Sequence, residues 1–255
     1  MTEPAVLSEV RDGVLLVTLN RPEQRNAVNR AVAEGIAGAL DRLDAEPELR
    51  VGVLTGAGKG FCAGMDLKAF VAGERVAVDG RGFAGIVQRA SAKPLIAAVE
   101  GFAVAGGFEI ALACDLIVAA RGARFGIPEV KRGLVAAGGA LLRLPQRIPY
   151  HLAMELALTG DFIDASRAYE VGLVNRVVEP GAAVEAAMSL AETIAANGPL
   201  ALAASKRILV EAPGWPAGER WTLQAEIADP VRASADAREG SVAFAEKRAP
   251  RWTGP

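Results

Sequence analysis

The sequence predicts a protein of the α/β or α+β class, in which a helical last third follows a strand-rich first half. Short apolar runs of strand length recur up to residue 120, whereas residues 180–197, 200–210 and 234–247 are amphipathic or alanine-rich over helical lengths. At 255 residues, of which 51% are hydrophobic, the chain can bury a sizeable core. We therefore expect one large domain, or one domain followed by a tail.

The N-terminal part begins with a predicted β-hairpin. Residues 6–10 and 14–19 are apolar runs on either side of a tight turn at residues 11–13. After a polar loop at residues 20–26, a helix is predicted over residues 29–44, because apolar side chains at helical spacing mark one face. These side chains are Val32, Ile36, Leu40 and Leu43.

A glycine-rich loop follows a strand predicted at residues 51–55. The loop runs from Gly56 to Asp66, and it lacks the order of glycine, lysine and serine or threonine that defines a phosphate-binding P-loop. A loop of this composition can expose backbone amides, that of Ala63 among them, and could supply a donor to an oxyanion. It could equally be a flexible connection between a strand and a helix.

The middle of the chain alternates predicted strands and helices. Strands are predicted at residues 95–99, 115–120 and 173–178, and helices at residues 82–91, 134–144, 153–158 and 165–170. Residues 71–79 are ambiguous. Residues 123–129 form a strand or turn that ends in Glu129, directly after Pro128. A glutamate after proline is commonly a solvated residue in the first turn of a helix, so Glu129 by itself does not indicate function.

The stretch from Gly101 to Glu109 has the features of an anion site. Gly106 and Gly107 stand at the predicted start of a helix, where backbone N–H groups lack intrahelical partners and the macrodipole is positive. An oxyanion could be received there, and Glu109 is close enough in sequence to face the same place. The alternative is a helix start whose glycines serve close packing, with Glu109 as an acid favoured in the first turn.

Composition disfavours several classes of function. The 28 basic and 30 acidic residues give a net charge of −2, which argues against a general nucleic-acid or membrane-surface protein. Cys62 and Cys114 form no CxxC pair and suit a reducing compartment, so we expect a cytoplasmic protein. His151 is the single histidine, which argues against a zinc cluster or a Ser-His-Asp triad. We also expect no signal peptide and no membrane-spanning segment.

Five separated motifs follow one another along the chain. They are Asn20-Arg21-Pro22 with Asn26-Ala27, the segment Phe61–Leu67, Gly106-Gly107-Phe108-Glu109 with Cys114-Asp115, the segment Phe125–Glu129, and Gly172–Val178. In this order they resemble the crotonase superfamily of enoyl-CoA hydratases and isomerases. The resemblance implies an α/β spiral of ββα units over residues 1–195. It further implies a helical oligomerisation region over residues 196–255, and hence a homotrimer or a hexamer built as a dimer of trimers.

The resemblance also implies roles for individual residues. The backbone amides of Ala63 and Gly106 match those that bind the thioester oxygen, and Glu109 and Glu129 match the two acids of members that hydrate enoyl-CoA. Coenzyme A is expected near the early loop and the glycine-rich loop, with Lys68 a further nearby cation. The expected contacts are Arg25, Ala27, Lys59, Ala63, Gly64, Met65, Asp66, Leu67 and Gly106 in one subunit, and Phe244 and Lys247 from a neighbouring subunit.

The implied activity is hydration of a trans-2-enoyl-CoA through a thioester enolate, as in fatty acid β-oxidation, with no cofactor beyond the coenzyme A of the substrate. Residues 133–140 depart from the Gly-x-x-Pro-Gly-x-Gly-Gly pattern of many hydratases, and Phe108 and Met65 are unusual at pocket positions. Carnitinyl-CoA dehydratase is therefore the first alternative, and Δ3-Δ2-enoyl-CoA isomerase, the nearest competing activity in the family, is another. A different class, a non-catalytic crotonase-fold protein that binds RNA or a partner, is disfavoured by the intact pair of glutamates.

Overall fold

The computed structural model describes residues 3–254. Its strands are β1 (Val6–Arg11), β2 (Val14–Leu19), β3 (Val51–Gly56), β4 (Ala77–Val78), β5 (Gly82–Phe83), β6 (Leu95–Val99), β7 (Phe102–Val104), β8 (Leu116–Ala120), β9 (Arg124–Gly126), β10 (Phe162–Asp164) and β11 (Arg176–Val178). Its α-helices are α1 (Arg30–Ala45), α2 (Leu67–Val71), α3 (Gly106–Ala113), α4 (Ala140–Arg147), α5 (Tyr150–Thr159), α6 (Ala165–Glu170), α7 (Ala183–Ala195), α8 (Pro199–Glu211), α9 (Arg220–Arg232) and α10 (Ala235–Glu246). Short 3-10 helices occur at Pro22–Gln24, Pro128–Arg132 and Ala212–Gly214.

A six-stranded sheet in the order β1-β2-β3-β6-β8-β11 forms the centre of the molecule. The β1 and β2 strands pair antiparallel, as predicted for a hairpin, and the other pairs are parallel. Alternate residues of β2 pack into two different clusters: Leu15 and Val17 join α1 and α3, whereas Val14 and Leu16 join α7. Because both faces of the inner strands are covered, β2, β3, β6 and β8 are predominantly apolar in sequence, whereas the edge strand β1 is mostly exposed.

A second, three-stranded sheet in the order β10-β9-β7 lies next to the carboxyl end of β6. The chain leaves β6 at Val99 and enters β7 at Phe102, with Gly101 at a φ of +55° in between. Since β3 and β6 are parallel neighbours, the loop after β3 and the start of α3 after β7 come together at the same edge of the central sheet. Ligands commonly bind at such an edge.

Two predicted helices need correction. The helix predicted over residues 82–91 is wrong, because Gly82, Ala84 and Gly85 all have positive φ values that interrupt a right-handed helix. The segment forms β5 and a series of turns instead. The helix predicted over residues 134–144 begins only at Ala140, since Gly139 has a φ of +103°.

The strands β7 and β10 and the helix α9 were also not anticipated from the sequence. The strands β7 and β10 are three residues long, too short for apolar alternation to be recognised. The helix α9 includes Pro230, which the sequence pattern treats as a helix breaker. Residues 123–129, left open between strand and turn, form β9 followed by the start of the 3-10 helix at Pro128–Arg132.

The C-terminal helices bury little of their own surface. Neither α8 nor α9 has a fully buried residue, and Leu209 and Trp221 are 77% and 81% exposed. Among residues 3–254, no helix has the length and apolar character needed to cross a bilayer.

Candidate active site

The amide of Gly106 emerges from a tight turn between β7 and α3. Ala105, the residue before it, has φ +52° and ψ −128°, a conformation that residues with a side chain rarely adopt. The N–H of Ala105 donates to the Gly126 carbonyl of β9 at 2.9 Å, which holds the turn. Gly106 is the first residue of α3, so its own N–H has no intrahelical acceptor and can receive an anion.

Glycines allow the loop after β3 to approach α3 closely. A Cβ on Gly107 would overlap the carbonyl oxygen of Cys62, and a Cβ on Gly106 would lie 2.6 Å from the ring of Phe83. A Cβ on Gly64 would lie 2.9 Å from the Gly106 nitrogen. The close-packing interpretation of the helix start is therefore correct, and the same packing brings the loop backbone beside the Gly106 amide.

The amide predicted to be the second oxyanion donor is already engaged. The Ala63 N–H donates to the Arg25 carbonyl at 3.0 Å, so the prediction that Ala63 supplies a free hydrogen is wrong. Met65 pairs with Val28 in a parallel bridge that uses the Gly64 carbonyl and the amide after Met65. Within residues 3–254, the Met65 N–H itself donates to no protein acceptor. The Met65 amide therefore replaces that of Ala63 as the second candidate donor.

An ion pair and a capped helix hold the end of this loop. Arg21 Nη2 lies 2.9 Å from Asp66 Oδ2, and Arg21 Nη1 donates to the Ala27 carbonyl at 2.6 Å. The other Asp66 oxygen accepts the backbone N–H groups of Lys68 and Ala69 at the start of α2. Burial alone would raise the pKa of Asp66, but these hydrogen bonds lower the pKa overall. Two motifs that are far apart in sequence thus fix the Met65 amide.

The carboxyl group of Glu109 lies beneath the N-terminus of α4. The residue is 4% exposed, and its Oε1 accepts the Ala140 N–H at 3.2 Å. A Cβ on Gly138 would overlap Glu109 Oε2, so position 138 must be glycine for this approach. Burial raises the pKa of Glu109, while the amides of Ala140 and Gly138 and the charge of Arg143 act against that rise. The sequence did not predict that the backbone amides of Gly138 and Ala140 are partners of Glu109, although the two glycines at positions 138 and 139 are visible in it.

The Glu129 carboxyl group has fewer hydrogen-bond partners than that of Glu109. It lies at the start of the 3-10 helix Pro128–Arg132, and its buried Oε2 has no hydrogen-bond partner within residues 3–254. Burial raises the pKa of Glu129, and repulsion from Glu109 raises it further. The fold thus brings the two predicted acids near enough to interact, in unlike environments.

Glu129 lines an apolar cavity of about 430 Å³. Its walls come from α4, α5 and the segment before α4, and they include Leu141, Leu144, Met154 and Leu158. Glu129 is the one charged residue among the residues that the structure describes in this lining. Such walls offer a carboxylate no counter-charge, which favours its protonated form.

The environment of Glu129 predicts how stability depends on pH. Because its pKa in the folded chain lies above the ordinary 4.5, the folded state binds the proton more tightly than the unfolded state. This contribution to stability is complete below about pH 4.5 and is lost as the pH rises through the folded-state pKa. We expect the free energy of unfolding of Glu129→Gln to rise relative to that of the parent as the pH increases from about 5 to about 8. Urea denaturation at both pH values measures this rise, and a difference that is independent of pH contradicts it.

The predicted coenzyme A contacts fall into two groups. Arg25 and Lys59 are exposed in the two loops next to the site, and Lys68 is exposed on α2. Asn26 joins these loops, since its Nδ2 donates to the carbonyls of Ala57 and Gly60 at 2.9 and 2.8 Å. In the tail, Phe244 is 87% exposed on α10 and lines a separate cavity of about 500 Å³, and Lys247 caps that helix. Within one chain, the structure thus places the tail residues apart from the two glutamates.

Fold and site together define a class of protein. An α/β core presents the backbone amides of Met65 and Gly106 and the carboxyl groups of Glu109 and Glu129 at one edge of its sheet, and helices follow this core. The family model described as enoyl-CoA hydratase/isomerase matches residues 9–255. The chain belongs to the enoyl-CoA hydratase/isomerase family, within the crotonase superfamily.

Individual relatives agree with this assignment. The crystal structure of an enoyl-CoA hydratase from Mycobacterium marinum superposes with a TM-score of 0.98 at 63% identity, covering 99% of this chain and 100% of that one. An enoyl-CoA hydratase of Mycobacterium tuberculosis is 45% identical over 98% of this chain and 96% of its own length. A carnitinyl-CoA dehydratase of Proteus mirabilis is 40% identical over 96% of each chain. The predicted crotonase fold is confirmed, and the chain is in general terms a hydro-lyase.

Proposed function

We propose that the protein is an enoyl-CoA hydratase, which adds water across the 2,3 double bond of a trans-2-enoyl-CoA. The observation that carries this proposal is the contrast between its two buried acids. Burial raises the pKa of both acids, but hydrogen bonds from the start of α4 oppose this rise at Glu109. Glu129 has an unpartnered oxygen instead, and repulsion from Glu109 raises its pKa further. Two acids whose environments separate their pKa values can act as a base and an acid in one reaction.

The proposed reaction uses each group once. The Glu109 carboxylate takes a proton from a water molecule as the water oxygen forms a bond to C3 of the substrate. The electron pair of the double bond moves toward the thioester, and the N–H groups of Met65 and Gly106 stabilise the charge on its oxygen. Protonated Glu129 then gives its proton to C2, and exchange with solvent restores both carboxyl groups. The sum is the addition of one water molecule, which needs no redox cofactor.

A panel of enoyl-CoA thioesters tests this proposal. Hydration removes the conjugated double bond, so the absorbance of crotonyl-CoA or of a longer trans-2-enoyl-CoA should fall when the purified protein is added. The panel covers short to long acyl groups, so that it also measures which acyl length the protein accepts. If no member of the panel changes, the hydratase proposal fails and a non-catalytic binding role takes its place.

Carnitinyl-CoA dehydration is the second candidate, since a relative of that name covers 96% of this chain at 40% identity. The same carboxyl groups and amides would serve it, because both reactions pass through a thioester enolate. Incubation with crotonobetainyl-CoA in parallel with crotonyl-CoA separates the two functions. A kcat/KM that is higher for the charged substrate would transfer the assignment to the dehydratase.

We further propose that the protein forms a homotrimer or a dimer of trimers in which α8, α9 and α10 meet other subunits. The exposed large apolar side chains of Leu209, Trp221 and Phe244, one on each of these helices, support this, because apolar side chains left in water on neighbouring helices are commonly covered by another subunit. Light scattering at micromolar concentration should give a mass of about three or six chains of 26.4 kDa. A predominantly monomeric species contradicts the proposal.

A further inference from the structure

A guanidinium group lies against the turn that holds the Glu109 carboxylate. Arg143, on α4, donates from Nη1 to the Gly138 carbonyl at 3.3 Å and from Nη2 to the Val87 carbonyl. A Cβ on Gly139 would overlap Arg143 Nη1. The side chain therefore fills the space beneath the turn whose amides hold Glu109, and it connects that turn to the segment after β5.

This cation has an unusual set of partners. Its hydrogen bonds go to uncharged carbonyl oxygens, and the side chain is half-buried. Burial lowers the pKa of Arg143, and the opposing influence of a carboxylate comes first from Glu109. A cation withdrawn from water requires a nearby negative charge. The charge of Arg143 therefore favours the ionised form of Glu109, and the Glu109 carboxylate in turn favours the protonated form of Arg143.

We propose that Arg143 is a positioning residue for the hydration reaction, one that orients the turn at residues 138–140 and keeps Glu109 as the carboxylate of the pair. The inference rests on the proposed function, in which Glu109 is the base. It also explains why two neighbouring glycines precede α4: Gly138 gives room to the carboxylate, and Gly139 gives room to the guanidinium.

Several charged or titratable groups face this cluster from the surrounding elements. Glu129 and Arg132 belong to the 3-10 helix, Cys114 follows α3, and Arg147 lies one turn further along α4. Glu129 repels Glu109, and the Cys114 thiol is neutral because burial raises its pKa. Arg147 donates to the Leu112 carbonyl at 2.6 Å. Glu109 is thus the acid that the charge of Arg143 affects, and Arg147 is a suitable control.

The first test compares the pH dependence of kcat/KM in Arg143→Met, Arg143→Lys and Arg147→Met. In Arg143→Met, we expect the acid limb to move up by about one pH unit and kcat to fall by ~10–10², with KM changed less than about threefold. Arg143→Lys should restore most of the acid limb, because it keeps the charge. Arg147→Met should retain the parent profile. An unmoved acid limb in Arg143→Met reduces Arg143 to a structural role and overturns the inference.

A second test does not depend on turnover. The carboxyl carbon of Glu109 can be titrated by ¹³C NMR, with Glu109→Gln identifying the signal. We expect its midpoint to rise by about one pH unit in Arg143→Met relative to both the parent and Arg147→Met. If the methionine variant does not fold, Arg143→Gln, which also removes the charge, carries the measurement. An unchanged midpoint overturns the inference even if the protein hydrates enoyl-CoA. A raised midpoint in a protein without hydratase activity leaves the role of Arg143 standing and removes only the proposed reaction.

Discussion

Replacing Glu109 by Gln should lower the hydration of a trans-2-enoyl-CoA by ~10²–10⁴, the range typical of a group that moves a proton in the transition state. The amide oxygen of Gln can still accept the Ala140 N–H that Glu109 Oε1 accepts at 3.2 Å, so the turn before α4 should keep its shape. What the variant loses is the negative charge that takes a proton from water. Initial rates of absorbance loss, with the thermal midpoint of each variant as a check on folding, measure the effect.

The same variant separates hydration from isomerisation. Isomerisation moves a proton between C4 and C2 and needs one well-placed base, and Glu129 is the acid assigned to C2 in both reactions. Conversion of a 3-enoyl-CoA should therefore fall much less in Glu109→Gln than hydration does, whereas Glu129→Gln should impair both reactions. Hydration that stays within a few-fold of the parent in Glu109→Gln means that the two-carboxyl mechanism is wrong, and the isomerase alternative then takes precedence.

Replacing Gly107 by Ala should disrupt the oxyanion site through a single added methyl group. Its Cβ would overlap the Cys62 carbonyl, so the loop after β3 must move away from α3. The Met65 amide moves with this loop and separates from that of Gly106. We expect kcat to fall by ~10²–10³, as for the loss of one oxyanion donor, and the free energy of unfolding to fall by about 1–3 kcal/mol through overpacking.

A matched control lies in α1. Gly38 is helical, and a Cβ there would meet no atom within 4 Å. Gly38→Ala should leave kcat unchanged and raise stability by about 0.5–1 kcal/mol, because alanine loses less conformational freedom on folding. If Gly107→Ala behaves like this control, contact between the loop and α3 does not determine the position of the oxyanion donors.

The sequence was sufficient for features that depend on local pattern. Apolar runs predicted the parallel strands, and the spacing of Val32, Ile36 and Leu40 predicted α1, which starts where Asn29 accepts the Val32 N–H at 3.1 Å. The motifs carrying Glu109 and Glu129 led to the family. The structure adds that the two acids interact, because α3 and the 3-10 helix at Pro128–Arg132 bring them to one place.

Features that depend on distant segments could not be predicted. The engagement of the Ala63 amide is decided by the Arg25 carbonyl in another loop, which no spacing within residues 56–66 reveals. The segment at residues 82–91 has apolar spacing suited to a helix, but a Cβ on Gly85 would lie 2.5 Å from the Ala33 carbonyl of α1, and this close approach goes with its positive φ. The requirement for glycine at position 138 comes from its contact with the Glu109 carboxylate, which is distant in sequence. In each case a tertiary contact overrides the local pattern.

Product analysis in deuterium oxide tests the central claim most directly. The protein is incubated with each trans-2-enoyl-CoA of the chain-length panel, and the products are examined by mass spectrometry and NMR. If Glu109 and Glu129 together add water, the product carries a hydroxyl group at C3 and one deuterium at C2, and Glu109→Gln forms it at least ~10² times more slowly. A product with a shifted double bond and no hydroxyl group, or recovery of unchanged substrate across the chain-length panel, contradicts the account.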